Sequence, residues 1–186
     1  MTIHIGRGHH LATGQGEAIW FMDTLMTVKA SGRDTNDALS VVEVLCPAGF
    51  GPPPHLHHRE DEAFYVLEGQ MTVTCGEQTW TATPGSFVLM PRGILHAFTV
   101  AATGPCRVLT INTPAGFERF VAEAGRPAGQ LTLPDPQPPD VPALLALAPK
   151  YGHEYVPGPA AGDAHGQPGA GGQTATALSA PAGPAG

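Results

Sequence analysis

The chain has 186 residues, a formal net charge of −7 and only 13% charged residues. A chain of this length can form one domain with a sizeable core, but it is too short for two ordinary domains. The negative charge and the lack of a basic stripe argue against a nucleic-acid binder or a protein of anionic membrane surfaces, so small molecules are the expected partners.

The amino-terminal residues and the cysteines predict a cytoplasmic protein. The first ten residues have polar, Gly and His residues instead of a basic stretch followed by an apolar one, so a secretory signal is not expected. No apolar run approaches the roughly 20 residues that span a bilayer. Cys46, Cys75 and Cys106 lie far apart in apolar or Thr/Val-rich runs, and we expect buried thiols instead of disulfides.

Short runs rich in β-branched and aromatic residues, separated by Gly and Pro, recur between residues 19 and 112. They predict strands at residues 19–22, 25–29, 39–46, 63–67, 71–75, 78–82, 86–90, 96–101 and 106–112. A hairpin turn is expected at residues 68–70, where Gly69 tolerates a positive φ. Strands at this even spacing, with no helical pattern between them, are typical of an antiparallel sandwich or barrel.

Two helices are expected after the strands, both on the outside of the barrel. In the first, Thr113 is the predicted N-cap, Pro114 is the first helical residue, and Gly125 ends the helix. Its apolar face consists of Phe117, Phe120, Val121 and Ala124. The second helix is predicted at residues 141–148, after a Pro-rich stretch.

The composition changes at residue 157. From there to residue 186 the chain is almost entirely Gly, Ala and Pro with scattered polar residues, and Leu178 is its only large apolar residue. Such a segment cannot bury enough surface to offset the entropy lost on ordering. We therefore expect a single domain over residues 1–156, with a barrel core at about residues 38–113, and a disordered tail over residues 157–186.

His55 and His57 are candidate metal ligands. They lie two residues apart, and on a strand that spacing places both imidazoles on the same side of the sheet. A polar stretch at residues 58–61 supplies a turn, after which Glu62 opens the next strand. Glu62 then points into an apolar interior, where an unpaired carboxylate is costly unless a cation lies beside it.

His96 is the fourth candidate. It follows a turn at residues 91–93 and begins a strand whose inward side also carries Phe98 and Val100. A histidine at the head of an apolar face needs a partner. The simplest interpretation is that His96 and the three earlier side chains meet at one ion.

These residues carry a resemblance to the cupin superfamily. The first cupin motif has Gly, five residues, His-x-His, three or four residues, Glu, six residues and Gly, and the second has Gly, five residues, Pro-x-Gly, two residues, His, three residues and Asn. The chain matches them at Gly49, His55, His57, Glu62, Gly69, Gly85, Pro91, Gly93 and His96, and it has Val100 at the last position. The resemblance implies an all-β fold, the double-stranded β-helix or jelly-roll barrel, with one or two short C-terminal helices.

The resemblance also implies that His55, His57, Glu62 and His96 ligate one divalent transition metal ion. Three imidazoles and one carboxylate suit Fe, Mn, Co, Ni or Cu without choosing among them. The stretch 57–69 and the run TPAGFERF at residues 113–120 look most like small single-domain cupins similar to quercetin 2,3-dioxygenase. If that likeness holds, a flavonol or similar phenolic is cleaved with O2, and Glu62 is both a ligand and the base that takes the hydroxyl proton.

Two other functions remain open at this point. The same ligands would serve a metal-dependent lyase, isomerase or cyclase acting on a polyketide or other phenolic without oxygen chemistry. A non-enzymatic cupin that only holds a small molecule or a metal is the third possibility, because a fold does not determine a function.

Similar cupins are commonly dimers, and we expect a homodimer in which the strands between residues 19 and 46 add edges that pair with a second copy.

Overall fold

The computed structural model describes residues 8–138 and 140–156. The tail at residues 157–186 lies outside the described residues, so its disorder and the domain boundary at residue 156 stay predictions. The elements in chain order are β1 Glu17–Phe21, β2 Thr24–Ala30, α1 Gly32–Thr35, β3 Ser40–Cys46, β4 His55–His57, β5 Asp61–Glu68, β6 Met71–Cys75, β7 Gln78–Ala82, β8 Phe87–Met90, β9 His96–Val100, β10 Cys106–Thr113, α2 Phe117–Ala124, β11 Arg126–Pro127, α3 Val141–Tyr151 and β12 His153–Tyr155.

The described strands form two antiparallel sheets. The larger has the order β11-β1-β2-β3-β10-β5-β8, and the smaller has the order β12-β4-β9-β6-β7. Consecutive strands such as β6 and β7 form hairpins, whereas β5 lies between β10 and β8 in the larger sheet. Two facing antiparallel sheets with such crossovers make the jelly-roll barrel that the sequence predicts.

The core lies between the two sheets. In β3 and β10, buried and half-buried residues alternate along the strand, as expected for strands with one face on a core. Val42 and Val66 from the larger sheet are fully buried, and so are Met71 and Val73 from the smaller one. Val100, which departs from the cupin motif, is also in this core and is only 1% exposed. The departure therefore adds an apolar contact without changing a candidate ligand.

The first long helix begins later than predicted. Thr113 is the last residue of β10 and still pairs with Asp61, and its hydroxyl donates to the carbonyl of Ala38, so it is not the N-cap. Helix α2 instead starts at Phe117, after Gly116. Sheet pairing outcompetes capping here because the β10 ladder runs one residue further than the sequence suggests.

The structure holds other elements that the sequence did not predict. Helix α3 runs to Tyr151 instead of residue 148, and α1, β11 and β12 were missed. Helix α2 packs against β1, β3 and α3, and its Phe120 and Val121 belong to the buried core. Strand β12 pairs with β4, the strand of His55 and His57. None of the helices in residues 8–138 and 140–156 is long and apolar enough to cross a membrane.

Candidate metal centre

The four predicted side chains converge at one place. On β4, His55 and His57 are buried while Leu56 between them is half-buried, so both imidazoles face inward. Strand β4 pairs with β9 at His55 and His96, and Glu62 enters from β5 of the other sheet. One donor atom from each of these four residues lies within 4.8 Å of the others. The predicted juxtaposition is present.

Backbone carbonyls orient two of the three imidazoles. Nδ1 of His55 lies 2.9 Å from the carbonyl oxygen of Pro53, and Nδ1 of His96 lies 2.9 Å from that of Ile94. Because a carbonyl only accepts, each Nδ1 carries the proton and donates. The other nitrogen, Nε2, then offers its lone pair to the cluster, and that of His96 lies 3.3 Å from Glu62 Oε2.

The cluster fits a cation. All four side chains are at most 7% exposed, a depth at which polar groups normally have hydrogen-bond partners. Within the described residues, however, Nε2 of His96, which faces the cluster, is buried without such a partner. The mixed nitrogen and oxygen donors suit a divalent transition metal. That these residues bind one stays a prediction.

The protonation of the cluster favours metal binding at neutral pH. Burial lowers the pKa of His57 to about 3 and that of His55 to about 4, so both imidazoles are neutral and have free lone pairs. Burial alone would raise the pKa of Glu62, but His57 and the contact with His96 lower it to about 2, so it is ionised. The pKa of His96 is lowered by burial and raised more by Glu62, with a net upward shift.

A narrow cavity of about 50 Å³ adjoins the cluster. Its lining includes the candidate ligands His55 and Glu62 together with Phe50, Phe98, Phe117 and Tyr155. The Tyr155 ring stacks on the His55 ring, with centroids 5.2 Å apart. Burial raises the pKa of Tyr155, so its phenol stays protonated at neutral pH. A largely aromatic cavity thus opens directly onto two of the four donor groups.

The family described as Cupin domain matches residues 41–112, which contain all four residues of the cluster. Residues 41–112 are a cupin domain. This cupin is 29% identical over 117 residues to quercetin 2,3-dioxygenase of Bacillus subtilis (strain 168), a match that covers 63% of this chain and 34% of the relative. It is 27% identical over 82 residues to the HTH-type transcriptional regulator PuuR of Escherichia coli (strain K12), with 44% of each chain covered. The chain therefore spans between a third and a half of the length of these relatives.

Two solved structures share the fold. The RmlC-like cupin from Shewanella frigidimarina NCIMB 400 has a TM-score of 0.51 and 18% identity, and the match covers 62% of this chain and 99% of that one. Oxalate decarboxylase from Bacillus subtilis also has a TM-score of 0.51, with 16% identity, covering 60% of this chain and 30% of that one. At these identities the likeness concerns the cupin fold alone.

A second buried cluster lies behind His57 in this cupin. Oε1 of Glu60 is 3.4 Å from Nδ1 of His57 and accepts a 2.5 Å hydrogen bond from Nε2 of His153. Burial raises the pKa of Glu60, and the hydrogen bond from His153 opposes that shift. No pattern in the sequence selects these residues, since residues 58–61 were expected to form a polar turn.

The remaining sequence expectations for this region have mixed outcomes. His58 is exposed, as expected, and its Nε2 lies 2.9 Å from Glu154 Oε2 on β12. Cys46, Cys75 and Cys106 are buried free thiols. Tyr155 and His153 were missed, although they lie two residues apart like His55 and His57. That spacing on a strand after Gly152 is the one signal that could have selected them.

Proposed function

We propose that this cupin is a metal-dependent dioxygenase that cleaves a flavonol or similar phenolic small molecule with O2. In this proposal His55, His57, Glu62 and His96 hold one divalent transition metal ion. The observation that carries it is the aromatic cavity that opens onto His55 and Glu62. An aromatic substrate stacked between such side chains would place its hydroxyl beside the ion.

The proposal gives each group a role. When bound, the ion supplies Lewis acidity and open positions for a substrate hydroxyl and dioxygen. Glu62 accepts the hydroxyl proton at a carboxylate oxygen. With its pKa lowered to about 2, Glu62 is ionised at neutral pH and would be available to accept that proton. Phe50, Phe98 and Phe117 exclude water from the reacting atoms.

The size of the cavity restricts the substrate. About 50 Å³ of open space holds only a few water molecules, far less than a flavonol. An entering ring therefore has to displace side chains at the cavity wall. This requirement favours flat aromatic molecules, and the rings of Phe50 and Phe98, whose centroids are 6.0 Å apart, would have to separate to admit one.

The test combines metal analysis with oxygen uptake. Protein purified without a histidine tag is analysed for bound metal, reloaded with Fe, Mn, Co, Ni or Cu, and screened with flavonols and simpler phenols in an oxygen electrode. The proposal expects substrate loss with oxygen uptake, and a sharp loss of turnover in Glu62→Gln. Turnover without oxygen uptake would instead assign a lyase, isomerase or cyclase, and no turnover with any metal would leave a binding protein.

We further propose that the protein is a homodimer. The N-terminal strands are less available than expected, because the edge of β1 pairs with β11. Edge strand β8 offers a better surface, since Phe87 is 60% and Leu89 is 53% exposed. Light scattering should give the mass of two chains, and Phe87→Lys should shift it towards one; a monomeric parent protein contradicts the proposal.

A further inference from the structure

The three histidines of the metal-centre cluster are oriented in two different ways. In His55 and His96 the protonated Nδ1 donates to the backbone carbonyl two residues earlier. For His57, by contrast, Nδ1 is buried and finds no hydrogen-bond partner anywhere in the described part of the chain. The nearby acceptor is Glu60 Oε1, at 3.4 Å. The backbone therefore sets the tautomer of two rings but not that of the third.

Glu60 is held by groups that follow the cupin core. It is 3% exposed, and Oε1 accepts from Nε2 of His153 at 2.5 Å. The backbone N–H of Phe117, in the first turn of α2, also faces its carboxylate. Gly116 leaves the space that Glu60 occupies, since a Cβ there would lie 3.1 Å from Oε2. The carboxylate is thus fixed in position by α2 and β12 before any ligand binds.

His153 also fixes the plane of the His57 ring. The two imidazoles stack with centroids 4.2 Å apart and an interplanar angle of 23°. On its other side His153 packs edge-on against Phe120, at 4.6 Å between centroids. Both His153 and Phe120 are buried, so neither ring can turn freely. His57 is consequently confined by contacts that come from outside residues 41–112.

We propose that Glu60 is a positioning residue for metal binding, which accepts the Nδ1 proton of His57 and so directs Nε2 of that ring to the ion, while His153 holds Glu60 in place. The inference rests on the proposed metal centre. An ion on Nε2 withdraws electron density from the ring, which makes Nδ1–H a stronger donor and shortens the 3.4 Å contact. Carboxylates behind a ligating imidazole raise its basicity and fix its tautomer.

The same three residues have the composition of a second metal site, because donor atoms of His57, Glu60 and His153 also lie within 4.8 Å of one another. The structure favours the positioning role. The Glu60 oxygen nearest His57 already accepts a hydrogen bond from Nε2 of His153, so these two donor groups are occupied by each other. The number of ions bound per chain distinguishes the two roles.

The experiment compares Glu60→Gln with the matched variant Glu154→Gln. Glu154 on β12 also contacts a histidine, His58, which directly follows β4. That pair is exposed and does not touch His57. Metal-free proteins are titrated with Co²⁺ to record the absorption bands, and Ni²⁺ affinity is measured against a chromogenic chelator. We expect Glu60→Gln to weaken Ni²⁺ binding roughly 10- to 100-fold and to shift the Co²⁺ bands, and Glu154→Gln to match the parent protein.

The outcomes separate the inference from the function on which it rests. Parent protein that binds no metal overturns both. If the parent protein binds one Co²⁺ and Glu60→Gln has the same metal affinity and the same Co²⁺ absorption bands, the inference alone is overturned. The inference alone is also overturned if the parent protein binds two ions and Glu60→Gln binds only one. If Glu60→Gln does not fold, the ¹⁵N and ¹H resonances of the His57 ring in the Zn²⁺-loaded parent decide: a hydrogen-bonded proton on Nδ1 supports the inference, and a metal-bound Nδ1 overturns it.

Discussion

The cupin core at residues 41–112 and the segment at residues 113–156 contribute to the candidate metal centre in different ways. The core supplies all four donor groups. The later segment supplies none of them but provides their aromatic neighbours, with Phe117 and His153 beside His57 and Tyr155 beside His55. The comparison indicates that the core would determine which ion can bind, whereas the segment would determine the surroundings of that ion.

The largest effect should come from the core. Replacing His57 by Ala removes one of four donors, and we expect metal affinity to fall by more than about 100-fold, beyond the loss from a change behind a ligand. The adjacent His58 is the matched control, because its side chain is 55% exposed. Chelator competition on His57→Ala and His58→Ala measures both. Equal losses in the two variants would contradict the assignment of the ligands.

The second prediction compares the stability lost when one glycine in each region is replaced by alanine. At Gly69, φ is +77° and an added Cβ would lie 2.3 Å from the backbone oxygen of Pro105, so Gly69→Ala should cost about 2–4 kcal/mol. At Gly152, φ is +81° but the nearest atoms belong to the flexible side chain of Arg59, and about 1 kcal/mol is expected. Urea unfolding gives both values.

Gly85→Ala is the control for this pair. Its φ is +88° and no atom lies within 4 Å of an added Cβ, so it reports the cost of the backbone conformation alone. If Gly69→Ala is as stable as Gly85→Ala, the backbone at the start of β10 must have moved away from the added Cβ without a loss of stability. The core would then be no more tightly packed at this turn than the later segment.

The third prediction concerns pH and the metal-free protein. The folded-state pKa values of His55 and His57, about 4 and about 3, lie below the unfolded value of 6.5, so the unfolded chain binds more protons as pH falls below 6.5. The stability of the folded protein therefore decreases as the pH falls below 6.5. The raised pKa of His96 acts in the opposite direction. We expect a net loss of about 1–2 kcal/mol between pH 7.5 and 5.5.

Urea unfolding at the two pH values measures this loss. The stability of the double variant His55→Gln, His57→Gln should depend much less on pH, because Gln does not titrate. An unchanged or increased stability of the parent protein at pH 5.5 would contradict the lowered pKa values of His55 and His57, because one proton on His96 cannot offset the loss from two imidazoles.

The smallest effect should come from the later segment. Tyr155→Phe keeps the ring that stacks on His55 and removes only the phenol oxygen, whose raised pKa keeps it protonated. Metal affinity should stay within about twofold, because a protonated phenol is a poor ligand. Chelator competition tests this expectation. A loss above tenfold would place the Tyr155 oxygen among the donors and extend the metal centre beyond the core.

The sequence predicted the core better than the later segment for a physical reason. His55, His57, Glu62 and His96 lie on strands whose alternation of apolar and polar residues is a local pattern, and their spacing follows from two turns. The contacts of His153 and Tyr155 depend on β12, a three-residue strand that exists only because it pairs with β4. Nothing within residues 153–155 specifies that pairing. Thr113 was misplaced for the same reason, since its partner Asp61 is distant in sequence.

The position of β12 affects how this protein should be shortened. Strand β4 has only three residues and lies between β9 and β12, and its pairing with β9 is registered at His55 and His96 alone. A protein cut at residue 112, where the family match ends, would leave β4 at an open edge of the smaller sheet. The unit to express and crystallise therefore extends at least to Tyr155, more than forty residues beyond the recognisable domain.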